Sequence, residues 1–534
     1  MAIFAPSESP AIVVKEVDLT GGVPNVQTTT GAFAGKFRWG PIEEAVLIDN
    51  EASLAATFGA PDDAHTVDFH TAAGFLKFSN ALQVVRVAHT DALNAADSDA
   101  THLIKNDTGF DNATGLGGTF YARNAGALGN SLQVVWSDAT NWSSWGAAYK
   151  AQFDATPAGN ERHVLVLDED GTITGTAGTV LERYPFVSSA TDAIKADGTS
   201  NYMKNVINRQ SEWIYATTHV DSTGSMSFDD GSDGTAAPTS AYLAGFNQFE
   251  DKDTIEVDFL IAPGKAAAGD QDTLVDDLIV TAGTTRKDCV VVTSPASASV
   301  VGIADPVTAT VTDAGAYTYS SYAFVDNNWL KVYDKYNDKY IHTPAAGQTA
   351  GIMAASDANA APWFSPAGSR RGQYLGVTSL AYTPTKSQRD TLYKAGINPI
   401  ANLPGQGILL YGDKTHMNRP SAFDRINVRR LFNVVERAIA LAARNTLFEL
   451  NDEFTRAEFV NIVEPFLREI KGRRGITDFR VVCDETNNTA AVIDRNEFIA
   501  NIFIKPARSI NYITLNFVAV RSGVDFEEVA GLSV

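Results

Sequence analysis

Between residues 213 and 295 the sequence switches repeatedly between two hydrophobic periods, and that alternation constrains the fold more than any other feature. Apolar, strand-like runs at 213–216, 255–261 and 290–292 are separated by helical signals, one opening near Thr239 and Ser240 and one covering 271–281. Strand, helix and strand in succession pack as crossover units, so the pattern predicts βαβ units and a partly parallel sheet. Compact α/β text also fills 31–88, where Phe69, Ala72, Ala73 and Leu76 fit one face of a helix leading into the apolar run 82–87.

Other segments read differently. Residues 90–130 are rich in Asp, Asn, Thr, Ala and Gly, as expected where a loop-rich insertion begins. Residues 163–167 and 172–174 flank Asp168-Glu169-Asp170-Gly171, which predicts a hairpin closed by the Asp-Gly turn. A calcium loop is excluded because Val166 and Ala177 stand where its first and last ligands belong. Toward the end, a helix is expected over 427–445 with Val428, Leu431, Val435, Ile439 and Ala442 inward. A second is expected from a capping box at Thr455 and Glu458 to a stop at Gly472, kinked at Pro465. Residues 479–483, 498–504 and 510–520 read as strands. Both chain ends carry a short strand next to a flexible turn: 11–17, followed by the polar connection 18–30, and 524–527, preceded by Ser522-Gly523.

At 534 residues the chain exceeds one simple core, and two to four domains are expected. The net charge of -21 argues against a general affinity for nucleic acid, which draws on clustered Lys and Arg. Only Cys289 and Cys483 occur, each in an apolar run, so buried thiols are expected rather than a disulfide framework. The first 16 residues lack the basic and apolar regions of a signal peptide. No uninterrupted apolar stretch reaches the roughly 18 residues of a membrane helix, so assembly in a cytoplasm without membrane insertion is expected.

Catalytic and cofactor motifs fail on spacing. Gly31-Ala32-Phe33-Ala34-Gly35-Lys36 is one residue short of a nucleotide loop, and Phe37 stands where the magnesium-binding hydroxyl belongs. Gly224-Ser225-Met226-Ser227-Phe228 lacks the second Gly of a nucleophile elbow. The His residues form no helical zinc pair, and Asp229-Asp230-Gly231-Ser232-Asp233-Gly234 reads as a solvated acidic turn. No enzyme and no cofactor is expected. One charge contrast stands out: residues 421–480 hold 11 Lys and Arg against 9 Asp and Glu in an otherwise acidic chain, with Arg425, Arg429, Arg430 and Arg437 concentrated near one helix.

The C-terminal half carries a series of blocks: Trp363-Phe364-Ser365-Pro366-Ala367-Gly368, Tyr411-Gly412-Asp413-Lys414-Thr415, and Phe423-Asp424-Arg425-Ile426-Asn427-Val428-Arg429-Arg430-Leu431. Leu447-Phe448-Glu449-Leu450-Asn451, Asn487-Asn488-Thr489 and Lys505-Pro506-Ala507-Arg508-Ser509-Ile510 follow. With Ala34-Gly35-Lys36-Phe37-Arg38-Trp39-Gly40-Pro41 near the start, this text resembles contractile phage tail sheath proteins, strongly over 31–90 and 285–534.

The resemblance implies an α+β or α/β multidomain chain without catalytic residues, whose two ends together build an inner domain. The expected partition is an arm at 1–20, an inner domain from 21–90 plus 346–520, a β-rich outer insertion at 91–210, an α/β middle domain at 211–345, and a second arm at 521–534. It further implies a subunit that polymerises helically around a tail tube and contracts, with baseplate and tail terminator proteins as partners, in the virion tail. A sheath of a phage-like bacteriocin or secretion machine is the alternative. Ile12, Val13, Val14, Val17, Val524 and Phe526 are the expected inter-subunit contacts of the arms. Arg425, Arg429, Arg430 and Arg437 are expected to face an acidic tube surface.

Overall fold

A computed structural model describes residues 28–509 of the chain. Its centre is a six-stranded sheet in the order Ala323–Val325, Val290–Thr293, Phe259–Ile261, Gly31–Gly35, Leu82–Arg86 and Ala45–Ile48. The first five run parallel and the last is antiparallel to its neighbour. A parallel sheet must be covered on both faces, which is why its strands read as unbroken apolar runs such as Val290-Val291-Val292. On one face, Phe33, Val84 and Phe259 pack with Phe69, Phe75 and Met353 of the helices Thr66–Leu76 and Ala346–Asn359. On the other, Ala32, Val85 and Leu260 pack with Phe246, Leu274 and Val307 of three further helices.

The two helices on the first face approach closely because Gly347 has no side chain. A Cβ there would lie 2.1 Å from the Thr71 carbonyl oxygen.

The expected βαβ sheet is present, with two revisions. The run at 213–216 is not part of it: Ile214–Ala216 pairs antiparallel with Phe120–Ala122. Nor do the strands respect the expected partition. Gly31–Gly35 lies between Leu82–Arg86 and Phe259–Ile261, so text assigned to an inner domain and to a middle domain shares one sheet. The pairing of Gly31 with Phe259 bridges more than two hundred residues, and no local period reports such a partner.

Residues 93–232 form a second body built on an antiparallel sheet ordered Thr179–Ser188, Glu161–Asp168, Leu132–Ser137, Gly224–Ser227. The hairpin expected around Asp168 exists, but its second strand starts at Thr179 rather than Thr172. Instead of a tight turn, the loop wraps the buried Asp168 carboxylate, which accepts from the N–H groups of Gly171, Ile173 and Thr174 at 3.1, 3.2 and 2.7 Å. The side chain competes with the turn for backbone donors and wins.

The C-terminal body consists of helices Ile426–Ala443 and Glu453–Gly472 and the antiparallel pair Ile476–Val482 with Asn501–Pro506. Leu431, Val435, Phe459, Val463, Leu467 and Ile470 meet in its core with Trp363, as their helical spacing requires. The second helix starts earlier than its expected capping box. Asp452 is the N-cap, accepting from the Thr455 N–H at 2.8 Å, and the helix is continuous through Pro465. Cys289 and Cys483 are both buried free thiols.

The C-terminal ends of the parallel strands, where sheets of this type usually receive ligands, are filled by the chain's own polar groups. Asp326, fully buried, accepts from Ser294 Oγ at 3.0 Å, Thr349 Oγ1 at 3.1 Å and the Asn328 N–H at 3.2 Å. Thr349 Oγ1 in turn lies 2.8 Å from the Tyr374 hydroxyl.

Burial pushes the Asp326 carboxyl up to about 7, against the pull of those donors. A carboxyl raised above its unfolded value of 3.8 keeps its proton in the native state while the unfolded chain has lost it, so stability declines as pH rises from about 4 to about 7. Asp326→Asn is therefore expected to flatten the pH dependence of Tm across that window and to raise Tm at pH 8 by about 2–4 °C, measured by calorimetry.

Candidate assembly surface

Ile12, Val13, Val14, Val17, Val524 and Phe526 lie outside the described residues. The four arginines lie within them, and the structure turns them inward. Arg430 is buried, ion-paired with the equally buried Asp357 and in contact with the Phe259 ring at 5.2 Å. Arg437 reaches Asp258 at 2.8 Å and donates to the Asp288 carbonyl at 2.9 Å. Arg429 sits 4.1 Å from the ring centroids of both Tyr322 and Phe423 and donates to Ser321 Oγ at 2.8 Å. Arg425 pairs with Asp413 at 3.0 Å.

These contacts fasten the helix Ile426–Ala443 to the central sheet. Asp258 and Asp288 stand just before the strands Phe259–Ile261 and Val290–Thr293, and Asp357 belongs to the helix Ala346–Asn359. The expected basic outer face is thus corrected. Arg429 and Arg430 are buried in the chain's own interior, and Arg425 and Arg437 are engaged with its own carboxylates. Asp357 and Asp258 lie far in sequence from Arg430 and Arg437, so local charge counting missed them. Burial pushes the Asp258 and Asp357 carboxyls up while the neighbouring guanidinium pulls each down.

The hairpin Ile476–Val482 and Asn501–Pro506 presents a different feature. It is a sheet of two strands, so among the described residues both outer edges carry unpaired backbone groups. One face packs on the helix Glu453–Gly472 through Phe479, Val481, Ile502 and Ile504. Phe503, on the alternate face, is 59% exposed. A lone pair of strands is marginal in water, and further strands against its edges would stabilise it.

The connection between the two helices and the first turn of the second expose apolar side chains: Leu447, Phe448 and Leu450, then Phe454. Phe448 is fully exposed and sits at φ 70, a left-handed conformation that bulky residues rarely adopt. Clustered apolar exposure of this kind marks contact surfaces. The signal in the sequence is bulky apolar residues without helical or strand period, just past the helix expected over 427–445.

The architecture is that of a multidomain α/β protein in which the ends of the central parallel strands are plugged and, among the described residues, the edges of the C-terminal hairpin are open. Comparison with known proteins identifies the family. Residues 235–416 match the phage tail sheath protein central domain and residues 418–519 the phage tail sheath C-terminal domain. The tail sheath protein of Vibrio phage KVP40 is 32% identical over 98% of this chain and 99% of its own length, and that of Enterobacteria phage T4 is 33% identical over 98% and 99%. The helical sheath of the anti-feeding prophage in its contracted state has the same fold, with a TM-score of 0.55 at 12% identity over 96% of this chain and 99% of that one. The chain belongs to the phage tail sheath protein family.

The arginine contacts yield a direct test. Arg430→Met leaves Asp357 buried without its partner and is expected to cost about 3–5 kcal/mol in urea unfolding. R430M/D357L, which removes both charges, should recover most of that loss.

Proposed function

We propose that this chain is the subunit of a contractile phage tail sheath, polymerising as a helical lattice around the tail tube and shortening to drive the tube through the host envelope. The observation that carries the mechanism is the two-stranded C-terminal sheet with both edges unpaired among the described residues. An incoming strand there gains main-chain hydrogen bonds and pockets for alternate side chains. The sequence supplies two suitable strands, 11–17 with Ile12, Val13, Val14 and Val17, and 524–527 with Val524 and Phe526.

A head-to-tail contact of this kind does not close on itself unless its rotation permits, so it propagates into a helical lattice. The turns next to each arm keep neighbours tethered while the bodies repack. Contraction then amounts to passage from a kinetically trapped packing to one of lower free energy. The exposed side chains of Leu447, Phe448, Leu450 and Phe454 supply a second contact face in the lattice.

The role is structural rather than enzymatic, with the tail tube, baseplate and tail terminator proteins as partners, assembly in the host cytoplasm, and the virion tail as the final location. The net charge of -21 disfavours direct contact with nucleic acid. A sheath of a phage-like bacteriocin or secretion machine would share the fold, and the far higher identity to phage sheaths favours the phage reading.

Deleting residues 1–20 or 521–534 is expected to abolish polymers in negative-stain microscopy while leaving Tm within about 2 °C. Polymers that form and shorten without both segments would refute strand exchange. Phe448→Ser with Leu450→Ser should leave monomer stability within about 0.5 kcal/mol and reduce polymer yield.

A further inference from the structure

A cleft of about 1190 Å³ opens between the central body and the C-terminal body, and its charge opposes that of the chain. Seven Lys and Arg line it against Asp390 and Asp413, in a protein of net charge -21. Asp413 is already engaged, accepting from Arg425 at 3.0 Å, Ser365 Oγ at 3.1 Å and Ser509 Oγ at 2.7 Å. By contrast, Arg370, Lys386, Arg474 and Arg508 are exposed and make no side-chain hydrogen bond or ion pair among the described residues. Seven cations against one carboxylate that is not already engaged, Asp390, leave the cleft net positive, so an anionic occupant would be bound and positioned.

Two features of the cleft narrow the occupant. It adjoins the open hairpin, with Ile476 and Thr477 of the first strand and Ala507 and Arg508 just past the second in its wall. The described chain also ends there, at Ser509, leaving residues 510–534 beyond it. Of the two strand-like ends, 11–17 carries Lys15 and Glu16 and is neutral, whereas 524–528 carries Asp525, Glu527 and Glu528. Charge complementarity therefore selects the C-terminal end. A stretch as long as 510–523 can reach at most about 50 Å when fully extended, a distance compatible with delivering those acids to an adjacent subunit.

We propose that this basic cleft receives the acidic C-terminal segment of a second copy, with Asp525 and Glu527, on one face of the incoming strand, toward Arg370, Lys386 and Arg508, and with Glu528 adding to the segment's negative charge. The proposal rests on the strand-exchange reading and adds an electrostatic selector to it. The hairpin edge supplies main-chain pairing, which is indifferent to sequence. The cleft admits the C-terminal arm and not the N-terminal one, and alternation of acid and apolar residues at 524–527 fixes which face of the incoming strand points into it.

The test is charge exchange in the full chain, with polymer yield read by sedimentation at low and physiological salt. R370E/K386E/R508E is expected to reduce yield roughly tenfold, D525K/E527K/E528K to do the same, and the two sets combined to restore it. Each variant's melting curve is compared with the parent to separate misfolding from lost assembly. A labelled peptide of residues 522–534, which carries Asp525, Glu527 and Glu528 and no Lys or Arg, gives an independent readout: it should bind the parent chain, lose roughly tenfold affinity against R370E/K386E/R508E, and outcompete the neutral peptide of residues 10–17. If the peptide binds both proteins equally, or combining the two sets fails to restore yield, the cleft has another occupant, such as an acidic face of the tube, and the proposal is overturned. Truncation after Arg521 separates the two ideas. Polymers that survive truncation refute exchange of this arm, whereas polymers lost on truncation but untouched by charge reversal retain exchange and remove the cleft's role.

Discussion

The strand Gly31–Gly35 pairs in parallel with Leu82–Arg86 on one side and Phe259–Ile261 on the other, and the remaining architecture follows from that placement. Once both neighbours are fixed, the chain between them has to leave the sheet and return to it. The antiparallel body at 93–232 is that excursion, entering and leaving from one region of the sheet. The centre can thus be stiff while the excursion varies in length, and a sheath subunit that must hold its shape through repacking needs such stiffness.

Charge is used in two opposite ways. Inside, Arg430 and Arg437 meet Asp357 and Asp258, tying the helix Ile426–Ala443 to the sheet where the surrounding structure excludes water. Such pairs add little net stability over apolar residues, but separating the partners would leave a buried charge uncompensated, which suits a joint between two bodies. Outside, Arg370, Lys386, Arg474 and Arg508, which make no side-chain hydrogen bond or ion pair among the described residues, surround a cleft beside the two-stranded hairpin. A chain of net charge -21 gains nothing for its own fold from that grouping, and its sense lies in what a neighbouring subunit brings.

Most elements were legible in the sequence because their signals are local. The apolar stripe Phe459, Val463, Leu467 and Ile470 specifies a helix with one buried face, and the run Val290-Val291-Val292 specifies a strand covered on both sides. Errors came where the hydrogen bonds of a single side chain displaced the expected local pattern. Asp168 gathered three backbone donors and replaced a tight turn with a longer loop, and Asp452 capped a helix one turn before the pair Thr455 and Glu458. The four arginines were the largest departure, since the sequence records their charge but not the distance to Asp258, Asp357 and Asp413.

The sequence alone therefore determined the type of each long element, the lack of catalytic spacing and the family resemblance, all of which depend on residues close together or on blocks read as text. Only the tertiary structure decided which strands share a sheet, that the basic helix faces inward, and that a basic cleft lies beside an open hairpin. Those outcomes depend on contacts between residues tens to hundreds of positions apart, where burial and desolvation, rather than local propensity, choose the partner.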